Sequence, residues 1–203
     1  MKYVSVDIET TGLDPETCDV IEIGMVVDDT EQLDIPVDSL PTLRLMVSTP
    51  TDRPFYQGEP YALSMHSNLF VEISRAFHVE NVQYSRNVKV EEAVWSPDVV
   101  RYPIEDFITK NFPGEKYPIM RRITVAGKNY ASFDSRFLRK LGIEFRHRVL
   151  DPGMLFFDHL KDDKIPDFAE CMRRAGLEPV VKHTAVEDAK DVIRMLRAAW
   201  ATR

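Results

Sequence analysis

The chain has 203 residues, 44% of them hydrophobic, and its 33 acidic and 26 basic side chains give a formal net charge of −7. This size and apolar content suffice for one hydrophobic core, so we expect a single domain over residues 1–203. The negative balance argues against broad, tight binding along duplex nucleic acid, although a short strand end could still be held through bound cations. The sequence has no apolar run long enough for a transmembrane helix, and its N-terminus turns acidic too early for a signal peptide, which predicts a cytoplasmic protein.

The first 50 residues predict three strands. The segments Tyr3–Ile8, Val20–Val27 and Leu43–Val47 are rich in β-forming residues, and the first two suit a hairpin. Because strand side chains alternate, Asp7 and Glu9 share one face, about 7 Å apart at the backbone. Two neighbouring carboxylates repel each other unless something such as a shared cation holds them together. Such a pair at a strand end is a weak signal alone, because chance supplies many.

The middle of the chain carries weaker patterns. Residues Ala62–Phe77 predict one helix, followed by an insert or irregular excursion at about 78–95. Another helix is predicted to start at Ser96, with Pro103 bending or dividing it. Three side chains of the first helix could line a cleft, although packing and solvation explain them equally well: Met65, His66 and Asn68.

The second half alternates predicted strands and helices. Ile123–Gly127 suits a buried strand, and Ser132 is a plausible cap for the helix after it. Asp134 lies in the first turn of that helix, where the helix dipole favours a carboxylate with or without a further role. Arg148–Asp151 suits a last strand, and Pro166–Ala175 a helix.

Two features of the composition predict no function. Cys18 and Cys171 are far apart in the sequence and indicate free thiols in a reducing compartment. The basic clusters are expected to be solvated edges rather than binding sites. These clusters are Arg121-Arg122, Arg139-Lys140, Arg146-His147-Arg148 and Arg173-Arg174.

The last helix has the clearest start signal of the chain. Thr184 and Glu187 form a capping-box pattern, and apolar residues then recur at helical spacing as far as Trp200. His183 and Asp188 fall at the two positions that normally hold a hydrophobic staple. A titratable pair contributes little there as a staple, which favours a chemical role. The alternative is a surface histidine beside a surface aspartate.

A mixed sheet covered by helices would bring these signals together. Strand ends and helix starts gather around one crevice in such folds. We therefore expect the acidic residues and His183 to converge there.

Taken together, the motifs resemble those of the DEDDh 3′–5′ exonucleases, a family that includes the proofreading subunit of a bacterial replicative polymerase and RNA-trimming enzymes. The matching segments are Val6–Leu13, Asn129–Asp134, and His183 with Asp188 five residues on. The resemblance implies an α/β, ribonuclease H-like fold, with a five-stranded mixed sheet flanked by helices. It implies metal-dependent hydrolysis at the 3′ end of single-stranded DNA or RNA, with release of nucleoside 5′-monophosphates. Residues from about 50 to 118 match nothing in the family.

The resemblance also assigns roles to individual residues. Asp7, Glu9, Asp134 and Asp188 would hold two divalent cations, Mg²⁺ or Mn²⁺, with Asp7 bridging both. His183 would be the general base, since a histidine titrates near neutrality. The expected substrate-binding residues are Thr10, Thr11, Gly12, Leu13, Asn129 and Phe133.

Two other functions stay open on the sequence. The chain could be a catalytically idle protein that binds nucleic-acid ends, or a structural α/β protein whose acidic cluster is a solvated rim. DNA and RNA are not distinguished, because no residue can be assigned to the 2′-OH. A partner polymerase would be a separate chain, no membrane partner is expected, and a homodimer is left open.

Overall fold

The computed structural model describes residues 1–79, 89, 93–116, 118–178 and 184–201. Its strands are β1 (Lys2–Thr10), β2 (Val20–Asp29), β3 (Thr42–Val47), β4 (Phe77–Val79), β5 (Ala93–Trp95), β6 (Val125–Ala126) and β7 (Val149–Leu150). Its helices are α1 (Pro60–Met65), α2 (Ser67–Arg75), α3 (Arg101–Asn111), α4 (Asp134–Lys140), α5 (Pro152–Phe156), α6 (Phe168–Arg174) and α7 (Ala185–Ala201). None of the helices described has the length and apolar run that a bilayer span requires.

The seven strands in the described part of the chain form one mixed sheet in the order β4-β5-β3-β2-β1-β6-β7. The predicted hairpin is confirmed: β1 and β2 are antiparallel, with Asp7 opposite Gly24 and Glu9 opposite Glu22. β6 and β7 run parallel to β1, so the carboxyl ends of these three strands share one edge. The predicted count of five strands is wrong. Two three-residue strands, β4 and β5, extend the sheet beyond β3, and such short segments carry no period for a sequence pattern to reveal.

Alternation along β1 decides which helices each side chain meets. Val4, Val6 and Ile8 enter a large core that includes side chains of α3 and α4. Tyr3 faces the other way, into a second core built mainly on α7 and α6. Asp7 and Glu9 have the same parity as Tyr3, so they lie on the α7 side of the sheet.

Three predicted helix boundaries differ from the structure. The helix expected over Ala62–Phe77 is divided at His66, which ends α1 and precedes α2. Pro103 divides nothing, because α3 begins at Arg101 and its first turn tolerates a proline. Ser132 is not a cap; Phe133 precedes α4, and the Ser132 hydroxyl donates to the Asn129 carbonyl at 3.1 Å. Each of these three differences depends on turn geometry rather than on apolar spacing.

The start of α7 at Ala185 confirms the predicted helix, and its apolar face is buried as expected. A buried ion pair ties this helix to the sheet. Asp28, whose side chain is fully buried, accepts from Arg197 Nη2 at 2.6 Å and from the Tyr3 hydroxyl at 2.7 Å. The two described cysteines, Cys18 and Cys171, are free and buried.

Removing the carboxylate of Asp28 should therefore destabilise the fold strongly. Asp28→Ala leaves the Arg197 charge without its buried partner, and we expect the free energy of unfolding to fall by about 3–5 kcal/mol. Asp38→Ala is the matched control, because Asp38 pairs with Lys190 and Arg194 of the same helix but is 70% exposed. That substitution should cost about 0–1 kcal/mol. The unfolding free energies of both variants are measured in urea. Equal losses in the two variants would show that the buried pair does not hold α7 to the sheet.

Candidate active site

Three carboxylates meet at the carboxyl end of β1. Asp7, Glu9 and Asp188 each offer an oxygen atom, and these atoms all lie within 4.8 Å of one another. Two of them come from alternate positions of one strand, and the third comes from the first turn of α7. A fourth carboxylate, Asp134, is 4% exposed in the first turn of α4, and its charge acts on that of Asp7. The structure thus brings together all four acidic residues that the sequence motifs singled out.

The position of Asp188 depends on an unusually close approach of α7 to β2. Gly24, the cross-strand partner of Asp7, lies directly under the backbone of Ala185 and Val186. A Cβ atom on Gly24 would overlap that backbone, so only glycine permits this contact. The first turn of α7, and with it Asp188, can therefore rest against β2.

A buried glutamate fixes the same helix end. Glu22 is 1% exposed, and its Oε2 accepts from the backbone N–H of Ala185 at 2.7 Å. A carboxylate at this position satisfies a free helix N–H and complements the helix dipole. Glu22 Oε1 accepts from Arg44 Nε at 2.5 Å, and the other nitrogens of Arg44 bind Glu72 of α2 at 2.6 and 2.9 Å. A chain of charged hydrogen bonds thus joins α2, β3, β2 and α7 beside the acidic cluster.

Burial and mutual repulsion disfavour the ionised forms of the clustered carboxylates. Burial raises the pKa of Asp7 well above its usual range, and the charges of Asp134, Asp188 and Glu9 raise it further. The same causes, burial first and then Asp188, raise the pKa of Glu9 to about 8. Burial raises the pKa of Asp134 to about 7, against hydrogen bonds from backbone N–H groups that lower it. Grouped carboxylate oxygens are the ligands that Mg²⁺ and Mn²⁺ prefer, so the donor set fits hard divalent cations.

The acidic cluster predicts a pH-dependent stability that a cation should reverse. The folded chain holds protons on Asp7, Glu9 and Asp134 that the unfolded chain has already lost between about pH 4 and pH 8. In chelator, the melting temperature should therefore fall as the pH rises through this window. Mg²⁺ or Mn²⁺ at about 100 times its dissociation constant should raise it by about 5–10 °C at pH 8, and by less at pH 6. A melting temperature that the cation leaves unchanged at both pH values would contradict a metal site here.

A cavity of about 340 Å³ opens beside the acidic cluster. Its wall includes Glu9, and His66 Nε2 lies 3.5 Å from Glu9 Oε2 with its side chain 3% exposed. At the rim, Leu13 is 71% and Tyr61 79% exposed. The remaining lining residues are Ile8, Thr10, Gly12, Glu59, Ala62, Met65 and Phe133. A volume of this order suits a small organic ligand, and the exposed apolar rim offers it a flat contact.

Four of the six predicted substrate-binding residues line this cavity: Thr10, Gly12, Leu13 and Phe133. Thr11 lies outside the lining, fully buried, with its hydroxyl donating to the Gln57 carbonyl at 2.5 Å. Asn129 is also outside, at φ 61°, and its N–H donates to Asp151 Oδ2 at 2.9 Å. Thr11 thus ties the turn after β1 to residue 57, and Asn129 ties the segment after β6 to the residue that follows β7. Of the three residues that could line a cleft, Met65 and His66 do so and Asn68 does not.

His183, the predicted general base, lies outside the described residues. Thr184 is the next described residue along the chain, and its carbonyl accepts the N–H of Asp188 at 3.1 Å. This bond belongs to the first turn of α7, which rests on Gly24.

Sequence reasoning missed several residues of this site. A glycine within the apolar strand β2 was the available signal for Gly24, because such a glycine often marks a close backbone approach. The sequence predicts only a strand residue at Glu22, since its contact with Ala185 spans 163 positions of the chain. Glu59 and Tyr61 flank Pro60, where the sequence has no periodic pattern. Glu59 Oε1 accepts the N–H of Leu13 at 3.0 Å and thereby holds the cavity rim.

No family model matches the chain, and no curated protein sequence does. Solved structures do resemble it. The nuclease domain of 3'hExo, a DEDDh family member bound to rAMP, gives a TM-score of 0.67 at 15% identity, over 99% of this chain and 92% of that one. The cell-death related nuclease CRN-4 gives 0.64 at 10% identity, over 99% and 64%. The zinc ion bound form of the E. coli ExoI–ssDNA complex gives 0.60 at 14% identity, over 100% and 41%.

These likenesses establish the fold. The chain has the mixed α/β, ribonuclease H-like fold of DEDDh exonucleases, as the motifs predicted, and its described residues form seven strands in place of five. It spans 41% of the length of exonuclease I.

Proposed function

We propose that the chain is a metal-dependent 3′–5′ exonuclease that hydrolyses phosphodiester bonds at the 3′ end of single-stranded DNA or RNA and releases nucleoside 5′-monophosphates. The observation that carries this proposal is the meeting of Asp7, Glu9 and Asp188 within 4.8 Å beside a cavity large enough for a nucleoside. The nuclease folds that resemble the chain support it, since they include proteins bound to single-stranded DNA and to rAMP. We also propose that residues 1–203 form one exonuclease domain that acts in the cytoplasm.

The acidic residues act as cation ligands in this proposal. Asp7, Glu9, Asp134 and Asp188 would hold two divalent cations, with Asp7 common to both sites, Glu9 and Asp188 in the first, and Asp134 in the second. Bound there, Mg²⁺ or Mn²⁺ would supply the Lewis acidity that activates a water and stabilises the leaving oxygen. Four carboxylates offset the charge of two divalent ions, which removes the repulsion that adds to burial in raising the pKa of Glu9 to about 8. His183 accepts the proton of the attacking water.

The cavity positions the terminal nucleotide. Leu13 and Tyr61 expose apolar surface at its rim, and such surface can contact the face of a base irrespective of sequence. His66, buried against Glu9, restricts the rotamer of that carboxylate on the cavity side. The 3′-terminal sugar then lies between the rim and the acidic cluster, which brings the last phosphodiester to the carboxylates.

The proposal is tested by nucleotide release from a strand labelled at its 3′ end. We expect labelled nucleoside 5′-monophosphate with Mg²⁺ or Mn²⁺ and none with chelator, because the carboxylates alone activate no water. Single- and double-stranded DNA and RNA, short and long, are compared in the same assay for initial rate. Strand binding without release under every cation would indicate an idle end-binding protein, and neither binding nor a cation effect would indicate a structural one.

Substitution of Gly24 separates helix placement from stability. Gly24→Ala pushes the first turn of α7 off β2, and a displacement of about 1 Å at a catalytic group can lower kcat/KM on the order of 100-fold. The strain should also cost about 1–3 kcal/mol of unfolding free energy. Gly114→Ala is the matched control, since Gly114 lies at φ +93° with no atom near its missing Cβ. It should lose about 1 kcal/mol with an unchanged rate; equal kinetics in the two variants would refute the placement role.

A further inference from the structure

The charge of the chain is distributed unevenly along its length. Between residues 119 and 148 lie eight Lys or Arg side chains and two Asp or Glu, so this segment has a formal charge of +6 in a chain of −7. The segment includes three of the basic clusters that the sequence alone assigned to solvated edges. A strong local reversal of charge on an acidic protein indicates a surface for an anionic partner.

The structure gathers part of this charge around one groove of about 320 Å³, which we call the basic groove. Its polar lining residues are Tyr130, Ser135, Arg139, Glu144, Arg146 and His147. The groove adjoins the acidic cluster, because Ser135 follows Asp134 at the start of α4. From Asp134 to Arg139 the helix rises about 7.5 Å, so the groove leads away from the candidate active site.

The arginines of the groove are available for a ligand. The Arg139 side chain is 66% exposed, and its Nε lies 3.7 Å from Glu144 Oε1. Glu144 is shared with Arg121, which is 64% exposed and lies 2.5 Å from Oε2, so one carboxylate partly offsets two guanidinium groups. Arg146 is exposed and forms no ion pair with any residue that the structure describes. Planar guanidinium groups of this kind pair in bidentate fashion with phosphate.

We propose that the basic groove binds the phosphate backbone of the substrate strand upstream of its 3′-terminal nucleotide. This inference rests on the proposed function, and it adds where the rest of the strand lies. The remainder of the chain is acidic and repels a polyanion, so a strand leaving the cavity is guided along α4. A short length of single strand fits the groove, whereas the net charge opposes wrapping of a long duplex.

The test uses the double variant Arg139→Gln/Arg146→Gln in the full chain. Its kcat/KM should fall about 5- to 30-fold on a strand of about 15 nucleotides, through KM, and stay unchanged on a dinucleotide. Loss of two phosphate contacts should also reduce the slope of log K against log salt by about 1.4. The control Lys161→Gln/Arg173→Gln removes the same charge from side chains that are 80% and 62% exposed elsewhere, and it should change neither quantity.

The inference would be overturned by an equal loss on the dinucleotide and the long strand, and likewise by an equal loss in the control. An acidic protein as the true occupant of the groove would leave strand affinity unaltered by the arginine substitutions, which also overturns it. Binding of a fluorescent strand in chelator, without turnover, is measured alongside. If the arginines govern that binding while the wild type releases no nucleotide, the exonuclease proposal fails and the basic groove stands. If release occurs without any dependence on the arginines, the groove fails alone.

Discussion

An Asp7→Asn variant should release no nucleotide above background, a loss of more than about 10⁴-fold, as expected when one member of a catalytic unit is removed. The Asp7 carboxylate shares the cluster with Glu9 and Asp188, and the charge of Asp134 acts on it as well, so its loss affects the whole group. The same variant should be more stable than the wild type in chelator at neutral pH, because an amide needs neither a buried charge nor the uptake of a proton on folding. Initial rates with Mn²⁺ and melting curves in chelator check both parts.

The control for Asp7→Asn is Glu16→Gln, which removes an exposed acid from the loop after β1. It should leave the rate and the melting temperature unchanged. Full turnover by Asp7→Asn would remove this residue from the mechanism, whatever happens to the stability.

The second large effect is expected from His183→Ala. This variant should retain cation binding and lose rate by about 10²–10⁴-fold, the contribution of a general base. Because only the proton acceptor is removed, the loss should appear in kcat rather than in KM. His159→Ala, an exposed histidine of the α5–α6 connection, is the control and should behave as the wild type. An unchanged kcat in His183→Ala would show that another group takes the proton.

The sequence predicted those strands and helices in which the apolar side chains repeat at strand or helix spacing over many residues. Alternation in β1 placed Asp7 and Glu9 on one face, and the apolar stripe of α7 placed its start within a residue of the observed one. The break of the 62–77 helix at His66 was missed, because the residues on both sides keep a helical pattern. There, burial of the imidazole beside Glu9 accompanies the interruption. Tertiary contacts of this kind override local propensity and leave no periodic trace.

The candidate site likewise has residues that the sequence predicts and contacts that it does not. Its carboxylates were predictable, since each stands at a strand end or helix start where chain topology brings such positions together. The contacts that position these carboxylates were not predictable. The hydrogen bond from Ala185 to Glu22 and the contact of α7 with Gly24 join residues about 160 positions apart. The likeness to nucleases at 10–15% identity is consistent with this division, because a fold can persist where few residues do. The repulsion among these carboxylates lowers the stability of the metal-free protein, and the same repulsion then favours the binding of a cation.

The most direct measurement is equilibrium binding of Mn²⁺ to the wild type, Asp7→Asn and Asp188→Asn, at pH 8 and without nucleic acid. Carboxylates that share a cation within 4.8 Å should bind Mn²⁺ in the wild type and lose it in both variants. Mn²⁺ bound equally by all three proteins, or by none of them, would contradict a cation site built from the beginning and the end of this chain.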